Sequence, residues 1–460
     1  MRRGLRIAQC LPSSLQLLWL HEYFGLGSGP AWSLTASWSP VSTPGTPVPE
    51  SRLTPGLFEQ ILWRTEATRA AWCPKESRLI QEAVDQVRRR AIHRRSEGSA
   101  VPPVVGTRSD RFYLPQLDGL RFVAFFAVFV CHFPISSKWS RVPWVSAIAD
   151  AGAYGVDLFF CLSSFLITAL LLQEQAREGR ARIGAFWIRR ALRIWPLYFV
   201  VVAIAVVITP PPGWYTRSLL TFTTNWALLH QSYDSSLNIL WSLAFEEQFY
   251  VAWPLLFVLL AGRRLPLVAA TLIGSTVIVR THLLGGTLTA DAVWSHPLGR
   301  LEPFALGIVL AWGWSRWQSA PRPTLPGWTG VAIVAIGWAA VIALLRFGTP
   351  VGNVGALPPL WAYSTVDLIL AIMLGVVLMA RGGLLAHPIP VYLGRISFGL
   401  YIFHQAVAQG VPLHLDVPWP LRLGLTLALT LCLAALSYVL LERPFLRLKT
   451  RFTYVRSAPV

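Results

Sequence analysis

Long apolar runs separated by short polar breaks occupy the chain from residue 118 onward. Each run is roughly 17–23 residues long, enough for a helix to cross about 30 Å of hydrocarbon. The pattern predicts an all-α polytopic membrane protein, a bundle of about ten transmembrane helices. The predicted spans are 118–136, 149–172, 194–210, 240–260, 265–281, 298–315, 328–346, 359–380, 391–411 and 420–440.

Residues 1–110 have a different composition. Pro, Ser and Thr are frequent ("SPVSTPGTPVPESRLTPG"), and a charged stretch ends in "RRRAIHRR" at 88–95. This composition predicts a disordered or loosely helical N-terminal extension. The opening "MRRGLRIAQCLPSSLQLLWL" begins with basic residues, but its apolar run is short and broken, which argues against a signal peptide. We therefore divide the chain into an extension (1–110), a transmembrane domain (111–450) and a short tail (451–460).

The net charge of +18 comes from 40 Lys and Arg against 22 Asp and Glu. The basic residues cluster between apolar runs, and such clusters stay on the cytoplasmic side of a membrane. The loop 173–193 contains six arginines, whereas the loops 282–297 and 347–358 contain no Lys or Arg. This pattern predicts a multi-pass plasma-membrane protein with both termini in the cytoplasm. It requires that 211–239 lies outside or re-enters rather than crosses.

Two other function classes find no support in the sequence. No zinc-finger spacing or basic patch with interleaved aromatic residues indicates binding to nucleic acid. The five cysteines are scattered and lack CxxC spacing, so neither a disulfide framework nor a metal site is predicted. The expected partners are the lipid bilayer and small molecules.

Arg121 and His132 lie eleven positions apart in the first apolar run, "LDGLRFVAFFAVFVCHF". On an α-helix, eleven residues make about three turns and rise about 16.5 Å, so the two side chains share one face. Even low estimates put a buried charge in lipid at about 2.5–3.5 kcal/mol, so this face is predicted to line the bundle interior. A snorkelling arginine and a histidine hydrogen-bonded to a neighbouring helix remain the alternative.

Further ionisable residues lie near the predicted outer ends of other spans. They are Asp157, Glu246, Glu247, Arg300 and Glu302. Carboxylates at the depth of a histidine are what a buried general-base site requires, because a carboxylate can hold the imidazole in one tautomer. An ion-pair network that only joins helices is the alternative interpretation.

A cluster of arginines marks the predicted inner side in "FWIRRALRIWPLYF". Arg190 and Arg193 are three residues apart and share a helical face, with Arg189 beside them. Guanidinium groups bind phosphates through charge-assisted hydrogen bonds. The same arginines are also explained as determinants of topology without a ligand.

Several blocks together resemble the membrane-bound acyltransferase 3 family. They are "LPQLDGLRFVAFFAVFVCHF", "YGVDLFFCLSSFLITALLL", "FWIRRALRIWPLYF", "WSLAFEEQFYVAWPLL", "RLEPFALG", "LGRISFGLYIFHQAV" and "LLERPF", in this order. The resemblance covers about residues 113–447. It implies a bundle of about ten helices and an enzyme that transfers an acyl group, often acetyl, from acyl-coenzyme A to a hydroxyl. No bound cofactor is implied, because acyl-CoA is a co-substrate.

The resemblance also implies roles for individual residues. His132 falls on the catalytic histidine and Arg121 on its companion, while Arg190 and Arg193 fall on a pattern that helps to bind the donor. The acidic block after Trp241 falls on Glu246 and Glu247, and a further block falls on Arg300 and Glu302. The sequence departs from the family at Ser163 and Ser164, where Ser-Gly is usual, and at Pro303.

We combine these readings into one hypothesis. Acyl-CoA binds to Arg190 and Arg193 with help from Arg121, and His132 deprotonates the acceptor or carries the acyl group. Asp157, Glu246, Glu247 or Glu302 orients the imidazole or holds the acceptor, a carbohydrate or other small molecule. Arg300, Trp241 and His404 are assigned to acceptor binding or structure.

Two alternatives stay open at the level of sequence. In a proton-coupled transporter, the intramembrane histidine and carboxylates would form a proton relay. The chain lacks detectable internal repeats and paired broken helices, which argues against this class. A membrane sensor with the same fold but no turnover is the other alternative.

Overall fold

The computed structural model describes residues 113–134, 142–231, 233–260, 264–284, 294–317, 324–347, 360–410, 418–449 and 452. They belong to one compact unit, Val104–Val460. The predicted extension 1–110 and most of the tail 451–460 lie outside the described residues.

Helices make up almost all of the described structure. They are α1 (Pro115–His132), α2 (Pro143–Ala153), α3 (Gly155–Glu178), α4 (Ile183–Ile208), α5 (Gly213–Leu220), α6 (Thr224–His230), α7 (Leu240–Leu259), α8 (Leu265–Leu284), α9 (Glu302–Arg316), α10 (Gly327–Phe347), α11 (Leu360–Met379), α12 (Pro388–Arg395), α13 (Ser397–Gly410), α14 (Trp419–Ser437) and α15 (Arg443–Lys449). Short 3₁₀ turns occupy Ser236–Ile239, Pro297–Arg300 and Leu384–Ala386, and a π-helical turn occupies Tyr438–Glu442. Two two-residue strands, β1 (Leu325–Pro326) and β2 (Ala380–Arg381), pair in parallel.

Within the described residues, six helical segments are long and apolar enough to cross a membrane. They are Pro143–Glu178, Ile183–Ile208, Leu265–His282, Gly327–Phe347, Trp361–Met379 and Trp419–Leu448. The protein is thus a multi-pass helical membrane protein, but the predicted count of about ten spans is not confirmed. Helices α9 and α13 have only 15 and 14 residues, shorter than the about 20 that a full crossing needs.

Several predicted boundaries are wrong. The predicted basic loop 173–193 is mostly helical, because α3 continues to Glu178 and α4 begins at Ile183. Arginine is a good helix former, so a helix can continue where an apolar run stops. The predicted span 391–411 is broken at Ile396, which separates α12 from α13.

The segment 211–239 holds two short helices, α5 with eight residues and α6 with seven. Neither is long enough to cross the hydrocarbon layer. Between them, Phe222 has a left-handed backbone with φ of 53°. The amide of Gln248 in α7 donates a hydrogen bond of 2.7 Å to the Phe222 carbonyl, and the hydroxyl of Tyr198 in α4 donates one of 2.7 Å to the Leu219 carbonyl. These bonds fasten the segment to two long helices.

The interior of the bundle is organised around α1 and α3. Helix α1 packs against α2, α3, α12 and α13, while α3 packs extensively against α9. Two glycines make the closest approaches possible. A Cβ at Gly394 of α12 would clash with the Asp118 carbonyl of α1, and a Cβ at Gly307 of α9 would clash with Ser164 and the Cys161 carbonyl of α3.

We predict that Gly307→Ala lowers the thermal unfolding temperature in detergent. The added methyl meets the backbone of α3, which cannot give way as a flexible side chain does, and overpacking of this kind costs about 1–3 kcal/mol. The matched control is Gly313→Ala in the same helix, where a Cβ meets nothing within 4 Å. The control should be neutral or stabilising, because alanine is the better helix former by about 1 kcal/mol. Equal effects of the two substitutions would contradict this description of the interface.

Candidate active site

A cavity with both polar and apolar walls lies between α1, α3, α4, α7 and α13. Its volume is about 80 Å³, room for several water molecules. One part of its wall is aromatic, from Phe159 and Phe160. The polar lining residues include Arg121, Arg190, Arg193, Ser163, Ser242, Glu246, Tyr250 and Tyr401.

Three arginines reach this cavity from two helices. Arg121 comes from the first half of α1, and its Nη1 lies 3.3 Å from Oδ1 of Asp118 one turn earlier. Arg190 and Arg193 come from α4, and the guanidinium of Arg190 lies 4.9 Å from the ring centroid of Tyr250. Among the described residues of the lining, Glu246 is the one carboxylate against three arginines, so this part of the wall carries a formal excess of positive charge.

Arg189 faces away from the cavity. Its Nη1 donates to the Phe452 carbonyl at 2.7 Å, and its Nη2 lies 3.3 Å from Oε2 of Glu174. Arg189 is absent from the cavity lining, in contrast to its two neighbours on α4. The structure therefore brings together Arg121, Arg190 and Arg193, but not Arg189.

Hydroxyl groups surround the carboxylate of Glu246. Both Ser163 of α3 and Tyr250 of α7 donate hydrogen bonds to its Oε1. Ser163 matches the serine of the Ser-Gly pair that is usual in the family, and its hydroxyl serves this carboxylate. Ser164, which replaces the usual glycine, is buried against α9, where its hydroxyl donates to the Cys161 carbonyl at 3.1 Å.

A second hydroxyl pair connects the cavity to the end of α1. The hydroxyls of Ser242 and Tyr401 lie 2.6 Å apart, and that of Tyr401 donates to the Ile239 carbonyl at 3.1 Å. The rings of Tyr401 and His404, one turn apart on α13, have centroids 5.4 Å apart. Tyr401 thus lies in the cavity wall and also contacts a buried histidine.

His132 is the last residue of α1 and meets His404 there. Its Nδ1 lies 3.1 Å from Nε2 of His404 and 3.0 Å from the Val128 carbonyl oxygen. His404 is fully buried, whereas His132 is partly exposed. His132 does not line the cavity. It contacts His404, which in turn contacts Tyr401 in the cavity wall.

The sequence predicts a contact between His132 and a carboxylate, but the four candidate carboxylates have other partners in the structure. Within the described residues, Asp157 pairs with Arg300, Glu302 with Arg280 at 2.7 Å, and Glu246 with its two hydroxyl donors. The fourth candidate, Glu247, accepts a hydrogen bond of 3.3 Å from the indole of Trp195. Hydropathy indicates which apolar runs contain these groups, but not the direction in which each side chain leaves its helix.

Asp157, Arg300 and Glu302 instead belong to a buried ion network away from the histidines. Arg280 of α8 pairs with Glu302 and, at 3.7 Å, with Asp367 of α11. All five side chains are buried. The Arg300 guanidinium also lies 3.9 Å from the ring centroid of Trp294 and 5.6 Å from that of Tyr363.

Sequence reasoning missed two members of this network. Arg280 lies in "STVIVRTHLL" and Asp367 in "YSTVDLILAIM". Each is a lone charged residue inside an apolar run, which is the signal that could have found it. Trp241, assigned to acceptor binding or structure, is partly buried with its ring centroid 6.4 Å from that of Phe160.

The fold and the cavity define a multi-pass membrane protein with a polar site inside its helix bundle. Residues 114–439 match the family model of an acyltransferase domain, acyltransferase 3. The chain therefore belongs to the acyltransferase 3 family, as its sequence blocks indicated. No solved structure matches the chain.

Curated relatives carry related names. The chain is similar to the peptidoglycan O-acetyltransferase OatA of Listeria monocytogenes, with 28% identity over 374 residues, 74% of this chain and 56% of that protein. It is also similar to the O-acetyltransferase OatA of Staphylococcus aureus, with 26% identity over 374 residues, 72% of this chain and 57% of that protein. The chain spans a little over half the length of these relatives.

We predict that Asp157→Asn destabilises the protein strongly. The substitution leaves the Arg300 guanidinium buried without its counter-charge, and breaking a buried pair in this way costs about 3–5 kcal/mol. The matched control is Glu178→Gln, which removes the exposed pair with Arg182, whose side chains are 39% and 34% exposed. An exposed pair contributes about 0–1 kcal/mol. Thermal unfolding in detergent measures both, and an Asp157→Asn protein as stable as the control would refute a structural role for the network.

Proposed function

We propose that this chain is an integral-membrane O-acyltransferase that moves an acyl group, with acetyl as the first candidate, from acyl-CoA to a hydroxyl. The observation that carries the proposal is the arrangement along α1. Arg121 lies in a cavity with two further arginines, and His132 lies about three turns along the same helix in contact with a second histidine.

The arginines are suited to the charged part of acyl-CoA. Coenzyme A carries a pyrophosphate and a ribose phosphate, and guanidinium groups bind phosphate oxygens in bidentate geometry. Arg190 and Arg193 supply two such groups from one helical face, and Arg121 adds a third from α1. The positively charged loops in the sequence favour a cytoplasmic position for this end of the bundle, where acyl-CoA is made.

The length of the donor fits the separation of the two groups. About 16.5 Å of helix rise separates Arg121 from His132, and the pantetheine arm is a chain long enough to bridge such a distance. In this proposal the phosphates stay at the arginines while the thioester passes Ser242 and Tyr401 towards the His132 end of α1. The aromatic wall at Phe159 and Phe160 offers an apolar surface to the arm.

His132 is the proposed general base. The acceptor hydroxyl gives its proton to the imidazole as its oxygen attacks the thioester carbonyl carbon, so a C–O bond forms. The C–S bond then breaks, and the proton passes from the imidazolium to the departing CoA sulfur. The products are an O-acyl ester and free CoA, and the imidazole returns to its neutral state.

The acceptor is proposed to approach from the side where His132 is partly exposed. By the predicted topology this is the outer side of the plasma membrane, with both termini in the cytoplasm. The relative from Listeria is named as a peptidoglycan O-acetyltransferase, so a cell-wall glycan is the first acceptor to test. Glycolipids and glycosylated small molecules offer the same hydroxyl chemistry.

We predict that His132→Ala abolishes most of the acyl transfer. General-base catalysis contributes about 100- to 10,000-fold, so release of CoA thiol from acetyl-CoA should fall by at least about 100-fold. The assay uses purified protein in nanodiscs with a chitooligosaccharide as the acceptor. A His132→Ala protein that folds and keeps the wild-type rate would refute the assignment, and wild type that neither binds nor consumes acetyl-CoA would refute the function.

We predict that Arg190→Ala and Arg193→Ala raise the KM for acetyl-CoA by about tenfold each. Every lost guanidinium removes a charge-assisted hydrogen bond to phosphate, while the base at His132 is untouched, so kcat should change less. The matched control is Arg180→Ala, an exposed arginine between α3 and α4. Steady-state kinetics in nanodiscs measure all three. Equal KM values for the cavity variants and the control would mean that the donor binds elsewhere.

A further inference from the structure

His404 is held in a fixed orientation deep inside the bundle. It lies on α13, and its side chain is fully buried. The ring of Phe125 from α1 meets it edge-on, with centroids 6.0 Å apart. Both ring nitrogens of His404 have hydrogen-bonding neighbours, and these neighbours determine which tautomer the neutral ring adopts.

The proton on His404 is located by a backbone carbonyl. Its Nδ1 lies 2.6 Å from the Tyr401 carbonyl oxygen, and a carbonyl only accepts hydrogen bonds. Nδ1 therefore carries the hydrogen. A neutral imidazole has one N–H and one bare nitrogen, so Nε2 of His404 is an acceptor, and it points at His132.

The same reasoning locates the proton on His132. Its Nδ1 has two neighbours, the Val128 carbonyl oxygen at 3.0 Å and Nε2 of His404 at 3.1 Å. Both are acceptors, so Nδ1 of His132 carries the hydrogen and shares it between them. The bare nitrogen is then Nε2, which points away from the histidine pair.

We propose that His404 is a positioning residue for His132. It accepts the Nδ1–H hydrogen bond, which keeps Nε2 of His132 bare and able to take a proton. When Nε2 receives the proton of the acceptor hydroxyl, the positive charge is shared with Nδ1–H, and the bond to His404 strengthens. His404 itself gains and loses no proton. This inference rests on the proposed function, in which His132 is the base.

His404 and the Val128 carbonyl contribute differently. The carbonyl belongs to the residue one turn before His132 in α1, so it stays in place whatever occupies position 404. Loss of His404 should therefore weaken the support of the imidazolium without removing the preference for the Nδ1–H tautomer. The expected effect on kcat is about 10- to 100-fold, the value of one hydrogen bond to a charged group.

Two substitutions separate the acceptor from the bulk of the ring. In His404→Gln, the side-chain oxygen can accept the hydrogen bond from Nδ1 of His132. In His404→Phe, a ring of similar size remains but no acceptor does. We expect His404→Phe to lower kcat about 10- to 100-fold and His404→Gln only a few-fold, with the KM for acetyl-CoA unchanged because the arginines are intact. His282→Phe, at an exposed histidine of α8, is the control.

The outcomes are distinguishable. If the Gln and Phe variants lose the same activity while their unfolding temperatures match wild type, His404 does not act as an acceptor and the inference is overturned. If His404→Phe keeps the wild-type kcat, the inference is overturned as well. If wild type consumes no acetyl-CoA, or His132→Ala is fully active, the proposed function fails instead.

A spectroscopic measurement tests the proton placement without any turnover. ¹⁵N-labelled histidine distinguishes bare from protonated nitrogens by NMR, and the signals of His132 among the nine histidines are identified by their loss in His132→Asn. We expect Nε2 of His132 to be bare and Nδ1 protonated, and the Nδ1 signal to shift in His404→Phe. A bare Nδ1 on His132 would overturn the inference even in an active enzyme.

Discussion

The pairing of buried charges is the constraint on which the bundle depends. Five charged side chains are buried together: Asp157 of α3, Arg280 of α8, Arg300 of the 3₁₀ turn before α9, Glu302 at the start of α9 and Asp367 of α11. Each isolated charge would be costly inside a membrane, so the helices are stable only where the charges meet. Pairing therefore fixes both the depth and the rotation of α3. Phe159 lies two residues after Asp157, about 200° around the helix, so the face opposite the ion network is turned to the cavity.

The candidate site has two chemically different ends. Arg121, Arg190 and Arg193 form the arginine end, and His132 and His404 form the histidine end. The arginine end needs charge, and its guanidinium groups keep partners such as Asp118 and the Tyr250 ring. The histidine end is reached through buried aromatic and hydroxyl groups, where a fixed charge would be expensive. Helices α1 and α13 both contribute to the two ends, and the buried apolar middle of α1 holds Arg121 and His132 at a constant separation.

The sequence predicts the parts of this arrangement that depend on one helix alone. Arg121 and His132 share a face because helical geometry requires it, and Arg190 and Arg193 reach the same cavity for the same reason. What it misses depends on neighbours. Hydropathy does not report the rotation of a helix, so the sequence leaves Asp157 open as a candidate partner of the histidine or as a member of an ion-pair network, and the structure pairs it with Arg300. Runs of apolar residues also hid the break at Ile396 and the helical continuation of α3 to Glu178.

The hydrogen-bond partner of His132 is a neutral histidine, His404, and not a carboxylate. A carboxylate in van der Waals contact would stabilise the imidazolium strongly, but it would do so before the reaction as well as during it, and a protonated ring cannot act as a base. Its own charge would also have to be buried. A neutral histidine avoids both costs, since His404 is already hydrogen-bonded to the Tyr401 carbonyl and offers only a lone pair. In the proposed reaction, its hydrogen bond strengthens when charge develops on His132, which favours the transition state over the resting enzyme.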